Sequence, residues 1–268
     1  MKDKFSDYVI ISDLDGTLLN NNKEISKENL QAINYFTDNG GEFSVATGRV
    51  IESTVGYLEN IKINLPIIVY NGGVIYDYKN KKIISESFVD EKQKEIVNRL
   101  NEDFDNIGIE IYADRKLYVL KDSGHSKRSA TEMLDIIYEV KEELSSRQWH
   151  KILVVGESDI IDTIENNFYD KYEMNGTRSG KTSYELLPIG ESKGQALKRI
   201  IEMCNLESKK IICVGDNMND LELLQGSTIS FCPENSSREL KEYADFIGPS
   251  NDNHMIYHIV EWLESKIN

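Results

Sequence analysis

Short apolar runs that end in polar, glycine-containing turns recur along this 268-residue chain. YVIIS leads into DLDGT, EFSVA into TGR, LPIIVY into NGG, and KKIICV into GDNMND. Helical patterns separate them: in ISKENLQAINYFTDNG, apolar residues recur at helical spacing, Ser26 can cap the helix and Gly40 can end it. A second helix is predicted in VIESTVGYLENI. Strands alternating with helices predict a parallel sheet with functional loops at the carboxyl ends of its strands.

The middle of the chain has a different pattern. YDYKNKKIISESFV predicts an antiparallel hairpin, and IGIEIYAD and KLYVLKD predict alternating strands joined by a short turn. Helices are predicted in DEKQKEIVNRLNEDF and at about residues 126–144 and 158–169. Hairpin strands backed by helices indicate an α+β domain inserted into the first one.

After Pro188 the strand–helix alternation returns. We therefore predict the α/β fold class, with a Rossmann-like, mostly parallel sheet core and an inserted α+β cap domain. The predicted core comprises residues 1–81 and 188–268, and the predicted cap comprises residues 82–187.

The composition of the chain limits the kinds of partner that are expected. A net charge of −15 argues against nucleic acid and anionic membranes as partners. No segment approaches the ~18 consecutive apolar residues of a membrane span. The opening MKDKFSDYVIIS lacks an apolar signal core, so the expected location is cytoplasmic.

The polar turns carry acids, a hydroxyl and a lysine that an open α/β sheet would bring to one edge. An oxygen-rich set of this kind suits Mg²⁺ together with a substrate phosphate. The residues concerned are Asp13, Asp15, Thr47, Lys193, Asp216 and Asp220.

Each of these residues also has an ordinary structural explanation. Thr47 could be a helix N-cap, Lys193 a solvated first-turn residue, and Asp220 a charge favoured at a helix N-terminus. Their joint occurrence, in order along the chain, favours a single site.

The ordered set DLDGT, ATGR, the lysine in SKGQAL, and GDNMND resembles the haloacid dehalogenase superfamily of aspartyl-phosphate phosphatases. More narrowly, it resembles the Cof-type sugar-phosphatase branch, which carries an α/β cap between its second and third motifs. The resemblance extends over essentially the whole chain. It implies that Asp13 is the nucleophile, that Asp15 is the general acid and base, that Thr47 binds a phosphoryl oxygen, and that Lys193 neutralises charge.

The same resemblance implies the surrounding contacts. The backbone amides of Leu14 and Gly48 would assist phosphate binding. Arg49 and Asn219 are further candidates for contact with substrate or phosphate, and Asn71 is a weaker one.

The resemblance also implies the metal ligands. Asp13 and Asp216 would bind Mg²⁺ through their carboxylates and Asp15 through its backbone carbonyl, with Asp220 supporting the metal site.

Two segments depart from the branch. ISFCPENSS stands where a short strand is usually followed by small residues and an asparagine, so Asn235 is an uncertain match. NDNHMIYH replaces a later acidic-glycine-valine turn. Neither segment carries catalytic groups, so the departures bear on substrate access.

The function predicted is Mg²⁺-dependent hydrolysis of a small phosphate monoester, a sugar phosphate or similar metabolite. A phosphosugar mutase of the same superfamily and a receiver-type signalling domain are the alternatives. The cap is expected to close over the site and choose the substrate. Its candidate contacts are Tyr112, Arg115, Arg178 and Tyr184; the substrate itself and the oligomeric state are left open.

Overall fold

The computed structural model describes residues 3–124, 134–138 and 142–267. The chain divides into two compact units. Unit 1 comprises Met1–Ser85 and Ser192–Asn268, and unit 2 comprises Glu86–Glu191.

The secondary structure follows the order that the alternation predicts. The strands are β1 (Tyr8–Ser12), β2 (Glu42–Val45), β3 (Ile67–Val69), β4 (Val74–Asp77), β5 (Lys82–Glu86), β6 (Ile107–Ala113), β7 (Lys116–Lys121), β8 (Asp135–Ile137), β9 (Trp149–Gly156), β10 (Thr177–Gly180), β11 (Ser183–Leu186), β12 (Lys210–Val214), β13 (Ile229–Pro233) and β14 (Phe246–Gly248). The α-helices are α1 (Lys27–Asp38), α2 (Ile51–Val55), α3 (Glu91–Asp103), α4 (Ser158–Tyr172), α5 (Lys193–Met203), α6 (Leu221–Gln225), α7 (Arg238–Lys241) and α8 (Met255–Ile267).

The main sheet of unit 1 is parallel, in the order β14-β13-β12-β1-β2. The residues of β1 from Val9 onward are buried, which explains why this strand is a continuous apolar run rather than an alternating one. Ile11 of β1 lies opposite Cys213 of β12 and packs in a core cluster with Leu197 of α5. Parallel pairing places the ends of β1, β2 and β12 at one edge of the sheet.

A smaller sheet in unit 1 has the order β3-β4-β5. A single parallel bridge between Ala46 and Ile68 connects the end of β2 to β3. The NGG turn after β3 therefore lies near the TGR turn after β2, and Asn71 N donates to the carbonyl oxygen of Thr47 over 3.0 Å.

Unit 2 is built on a sheet with the order β10-β11-β9-β6-β7-β8. Alternate residues of β6 and β9, such as Ile111 and Ile152, form a core cluster with Phe168 of α4 and Val97 of α3. The parallel core of unit 1 and the antiparallel pairing in unit 2 confirm the predicted fold class.

The structure differs from the prediction at two of the predicted helices. The helix predicted at 126–144 lies partly outside the described residues, and the described part contains strand β8, paired with β7, and a 3₁₀ turn at Glu142–Ser146. The helix predicted in VIESTVGYLENI is the short α2, followed by a 3₁₀ turn at Gly56–Leu58. Thr54, Val55 and Gly56 have low helix propensity, which explains the early end of α2.

None of the helices in the described part of the chain has the length and apolar character that crossing a bilayer requires.

Candidate active site

The carboxyl ends of β1 and β12 meet the first turn of α5 around one buried lysine. Lys193 is the first residue of α5, whose N-cap Ser192 accepts a hydrogen bond from Gln195 N. Its Nζ lies 2.7 Å from Asp13 Oδ1 and 2.6 Å from Asp220 Oδ1. Residues that are far apart in the sequence thus form one ionic cluster.

Burial and charge act in opposite directions on this lysine. Lys193 is 1% exposed, and burial alone lowers the pKa of an ammonium group. The charges of Asp13 and Asp220 and their hydrogen bonds outweigh burial and raise the pKa of Lys193. The lysine is therefore cationic in this structure, which suits it to neutralising charge rather than to accepting a proton.

One lysine does not balance the acids around it. Carboxylate oxygens of Asp13, Asp216 and Asp220 lie within 4.8 Å of one another. Burial, together with the charge of neighbouring aspartates, raises the pKa of Asp13 well above its usual range and that of Asp216 to about 7. An all-carboxylate donor set with excess negative charge fits a hard divalent cation.

Asp220 differs from the other two acids because both of its oxygens have protein partners. Oδ1 accepts from Lys193, and Oδ2 accepts from the backbone amides of Asp216 at 3.0 Å and Asn217 at 3.2 Å. Its side chain is 0% exposed. Asp220 is therefore better suited to holding Lys193 and the GDNMND turn than to binding a metal directly.

Gly16 brings the DLDGT turn against Asp216. Its φ is +78°, in the left-handed region, and a Cβ at this position would lie 2.3 Å from Asp216 Oδ2. Only glycine permits both this backbone conformation and this close approach.

Asp15 is held by two cations. Arg49 donates from Nε to Oδ2 over 2.6 Å and from Nη2 to Oδ1 over 2.7 Å, and Lys23 Nζ lies 2.7 Å from Oδ1. Burial alone would raise the pKa of Asp15, but the hydrogen bonds and charges of Arg49 and Lys23 outweigh it and lower the pKa to about 2. Asp15 is therefore ionised in this structure.

The TGR turn lies beside these acids. Thr47 is buried, and its Oγ1 accepts from Arg49 N over 3.2 Å, so the hydroxyl still has its own O–H to donate. A Cβ at Gly48 would lie 2.8 Å from Asn71 Nδ2. Asn219 donates to Asn71 Oδ1 over 3.0 Å, so Asn71 joins the TGR turn to the GDNMND turn.

Leu14 lies between the two acids of the DLDGT turn, and its side chain is fully buried. Its carbonyl oxygen accepts from Leu19 N over 2.8 Å, which closes the turn. The site residues predicted in unit 1 thus lie on the converging turns, and their chemical roles remain predictions.

Sequence reasoning missed Lys23 as a partner of Asp15, and it considered Asn71 only as a weak candidate for substrate contact, not as a structural link. Lys23 lies in the polar stretch NNNKE, where nothing in its spacing distinguishes it. Asn71 has a φ of +53°, and the NGG turn was the available signal for such a conformation.

Arg178 and Tyr184, candidate substrate contacts in unit 2, have structural partners. Arg178 forms ion pairs with Asp162 and Glu165, and Tyr184 packs on Phe168 with 5.1 Å between ring centroids.

Tyr112 lies against a buried ion pair in the same unit. The Nζ of Lys151 lies 4.7 Å from its ring centroid and 3.2 Å from both carboxylate oxygens of Glu185. Arg115 lies in the turn between β6 and β7, and its φ is +58°.

This chain is similar to known proteins over most of its length. A model of the haloacid dehalogenase-like hydrolase family matches residues 10–260. A 5-amino-6-(5-phospho-D-ribitylamino)uracil phosphatase of Bacillus subtilis is 29% identical and aligns over 96% of this chain and 98% of its own length. Another B. subtilis phosphatase is 25% identical over 95% and 99% of the two chains.

A solved haloacid dehalogenase-like hydrolase from B. subtilis has the same fold, with a TM-score of 0.81 and 24% identity over 94% of this chain and 98% of its own. The chain belongs to the haloacid dehalogenase-like hydrolase family. It is a phosphatase of the Cof-type branch, as the motifs predicted.

Proposed function

We propose that this phosphatase hydrolyses small phosphate monoesters with Mg²⁺ and passes through an aspartyl-phosphate on Asp13. The observation that carries the proposal is the buried Lys193 ammonium between Asp13 and Asp220, with Asp216 beside them. Phosphoryl transfer depends mainly on positioning and electrostatic stabilisation, and this cluster supplies both.

Asp13 and Asp216 are the carboxylates that would hold Mg²⁺, with the backbone carbonyl of Asp15, while Asp220 would support the site. Bound Mg²⁺ would supply positive charge to the phosphoryl oxygens and offset the repulsion between the acids.

In the first step, an Asp13 carboxylate oxygen forms a bond to phosphorus as the bond from phosphorus to the ester oxygen breaks. The ester oxygen takes a proton from Asp15, and the leaving group departs as an alcohol. In the second step, Asp15 takes a proton from water as the water oxygen attacks phosphorus. The bond between Asp13 and phosphorus breaks and inorganic phosphate is released.

The first step requires a protonated Asp15, whereas Arg49 and Lys23 keep it ionised in this structure. Substrate binding must therefore weaken these ion pairs. A phosphate group competes for the same guanidinium, which supports a role for Arg49 in substrate binding.

The remaining phosphate contacts we assign to the turns around Thr47. Its hydroxyl and the backbone amides of Leu14 and Gly48 are the proposed donors to the phosphoryl oxygens. Asn219, held by Asn71, is a further proposed contact.

The proposed substrates are sugar phosphates or related metabolites. One relative is named for a substrate that carries a phosphorylated ribityl group, which supports this class. We assign the choice among such substrates to unit 2, as the cap. The family match favours this reading over a receiver domain.

The test is phosphate release from a panel of phosphate monoesters, with Mg²⁺ and with excess chelator. We expect release from at least one sugar phosphate, and we expect the chelator to abolish it. Isomerised sugar phosphate without free phosphate would instead identify a mutase. Release that is unaffected by the chelator would contradict the metal requirement.

A further inference from the structure

The two segments that depart from the branch pattern lie against the turns that carry the acids. The first, residues 229–237, comprises β13 and its connection to α7, and the second, residues 251–258, comprises the 3₁₀ turn Asn251–Asn253 and the start of α8. Both contact unit 1 turns through specific hydrogen bonds.

Residues 235–237 bond to both acidic turns. Asn235 Nδ2 donates to the carbonyl oxygen of Gly16 over 2.8 Å, and Ser237 N donates to the carbonyl oxygen of Asp216 over 2.9 Å. Gly16 and Asp216 already approach each other closely. The short segment therefore ties the DLDGT turn to the GDNMND turn at their point of contact.

Asn251 connects this segment to another part of unit 1. Its backbone N donates to Asn235 Oδ1 over 2.8 Å, and its buried side chain donates from Nδ2 to the carbonyl oxygen of Leu19 over 3.0 Å. It is 4% exposed. Asn251 thus connects Asn235 to the far end of the DLDGTLLN stretch.

The chemistry of asparagine explains the choice of residue. The Asn235 amide accepts from Asn251 and donates to Gly16 at the same time, which neither aspartate nor alanine can do. These bonds end on main-chain oxygens of the acidic turns, so they constrain backbone position. A segment that served only to cover the core would use apolar contacts.

We propose that Asn235 and Asn251 are positioning residues that fix the spacing between the Asp13 and Asp216 turns, and thereby the affinity for Mg²⁺. This inference rests on the proposed function. Neither residue is assigned a contact with the substrate or the metal.

The test compares Asn235→Ala, Asn235→Asp and a control, Asn253→Ala. Asn235 is exposed, so its variants are expected to fold. Asn235→Asp keeps the acceptor for Asn251 and loses the donor to Gly16. Asn253 lies in the same turn as Asn251, and its side chain donates locally, to Ser250 Oγ over 2.8 Å.

Mg²⁺ binding is measured by calorimetric titration without substrate, beside kcat, KM and the Tm of the metal-free protein. We expect both Asn235 variants to bind Mg²⁺ about 10-fold more weakly and to lose kcat by a similar factor, as with other outer contacts of metal sites. KM and the metal-free Tm should stay close to wild type, and Asn253→Ala should match wild type throughout.

A lower Tm with unchanged Mg²⁺ affinity would show a merely structural role and overturn the inference. Equal behaviour of Asn235→Ala and Asn253→Ala would overturn it too, as would a wild-type protein that binds no Mg²⁺. If wild type binds Mg²⁺ but releases no phosphate, the proposed function fails while the titration still decides the role of Asn235.

Discussion

Each unit contains a buried lysine, and the two differ in their surroundings. Lys193 of unit 1 lies 2.7 and 2.6 Å from two different carboxylates, with Asp216 close by. Lys151 of unit 2 lies 3.2 Å from both carboxylate oxygens of Glu185.

The difference lies in the carboxylates grouped around each lysine. In unit 1, carboxylate oxygens of three aspartates lie within 4.8 Å of one another beside Lys193, and burial, followed by the charge of Asp220, raises the pKa of Asp216 to about 7. Among the described residues, no such group of three metal-ligating side chains lies around Lys151. A close group of buried carboxylates favours binding of a further cation. Burial of a lysine alone therefore does not identify a catalytic site.

The most direct test of the difference between the two lysines is to replace each of them in turn. Lys193→Met should lower kcat for phosphate release by about 10²–10³-fold, because it removes a fixed charge beside the reacting group. Lys151→Met should lower kcat by less than about 10-fold. Both variants should be destabilised by about 3–5 kcal/mol, because each removes a cation that lies beside buried carboxylates.

Steady-state kinetics and thermal unfolding on the same samples measure both effects. Similar kcat losses in the two variants would show that the carboxylates around the lysines do not distinguish their roles.

A second comparison lies within unit 1, between the acids at the metal site. Asp216→Asn should weaken Mg²⁺ binding by about 100-fold, since it removes a proposed ligand. Asp220→Asn should weaken it by only about 10-fold, because both oxygens of Asp220 already have protein partners and the residue supports the site from outside. Calorimetric titration of each variant measures this, and the reverse order would make Asp220 the direct ligand.

The smallest expected effect concerns an ion pair of unit 2 that serves stability. Asp103 accepts from Tyr172 Oη over 2.6 Å and pairs with Lys171 Nζ at 2.9 Å, and these partners lower the pKa of Asp103 below 3.8. Because the folded pKa is depressed, the stabilisation is present above pH ~4 and is lost as pH falls through the folded pKa.

Asp103→Asn should therefore lower stability at pH 7 by less than about 1 kcal/mol, without altering kcat. The difference in Tm from wild type should shrink below pH ~4, where wild-type Asp103 is protonated too. A difference that grows towards acid pH would contradict this sign.

The sequence predicted the fold class because the fold class depends on regular patterns, and the family because the ordered motifs resemble those of the family. Parallel strands bring their carboxyl ends to one edge, so the acids after β1 and β12 could be placed together from alternation alone. The motif residues Asp13, Lys193 and Asp216 follow from the same reasoning. Their proposed roles await experiment.

Other features depend on contacts that leave no periodic trace. Asn235 bonds to Gly16 across 219 positions, and only the folded chain brings this amide to that carbonyl. The ion pair between Lys23 and Asp15 likewise follows from no regular spacing in the sequence. Strand β8 was mistaken for helix because a three-residue strand is stabilised by its neighbour β7 rather than by its own sequence pattern.

The most direct test of the account is to trap the phosphoenzyme. A nitrophenyl phosphate labelled in its phosphoryl group has a leaving group that needs little protonation, so it can phosphorylate Asp13 even without Asp15. After rapid acid quench, Asp15→Asn should carry more protein-bound label than wild type, because loss of the base slows hydrolysis of the intermediate. Asp13→Asn should carry none. Label in Asp13→Asn at the wild-type level would contradict Asp13 as the nucleophile.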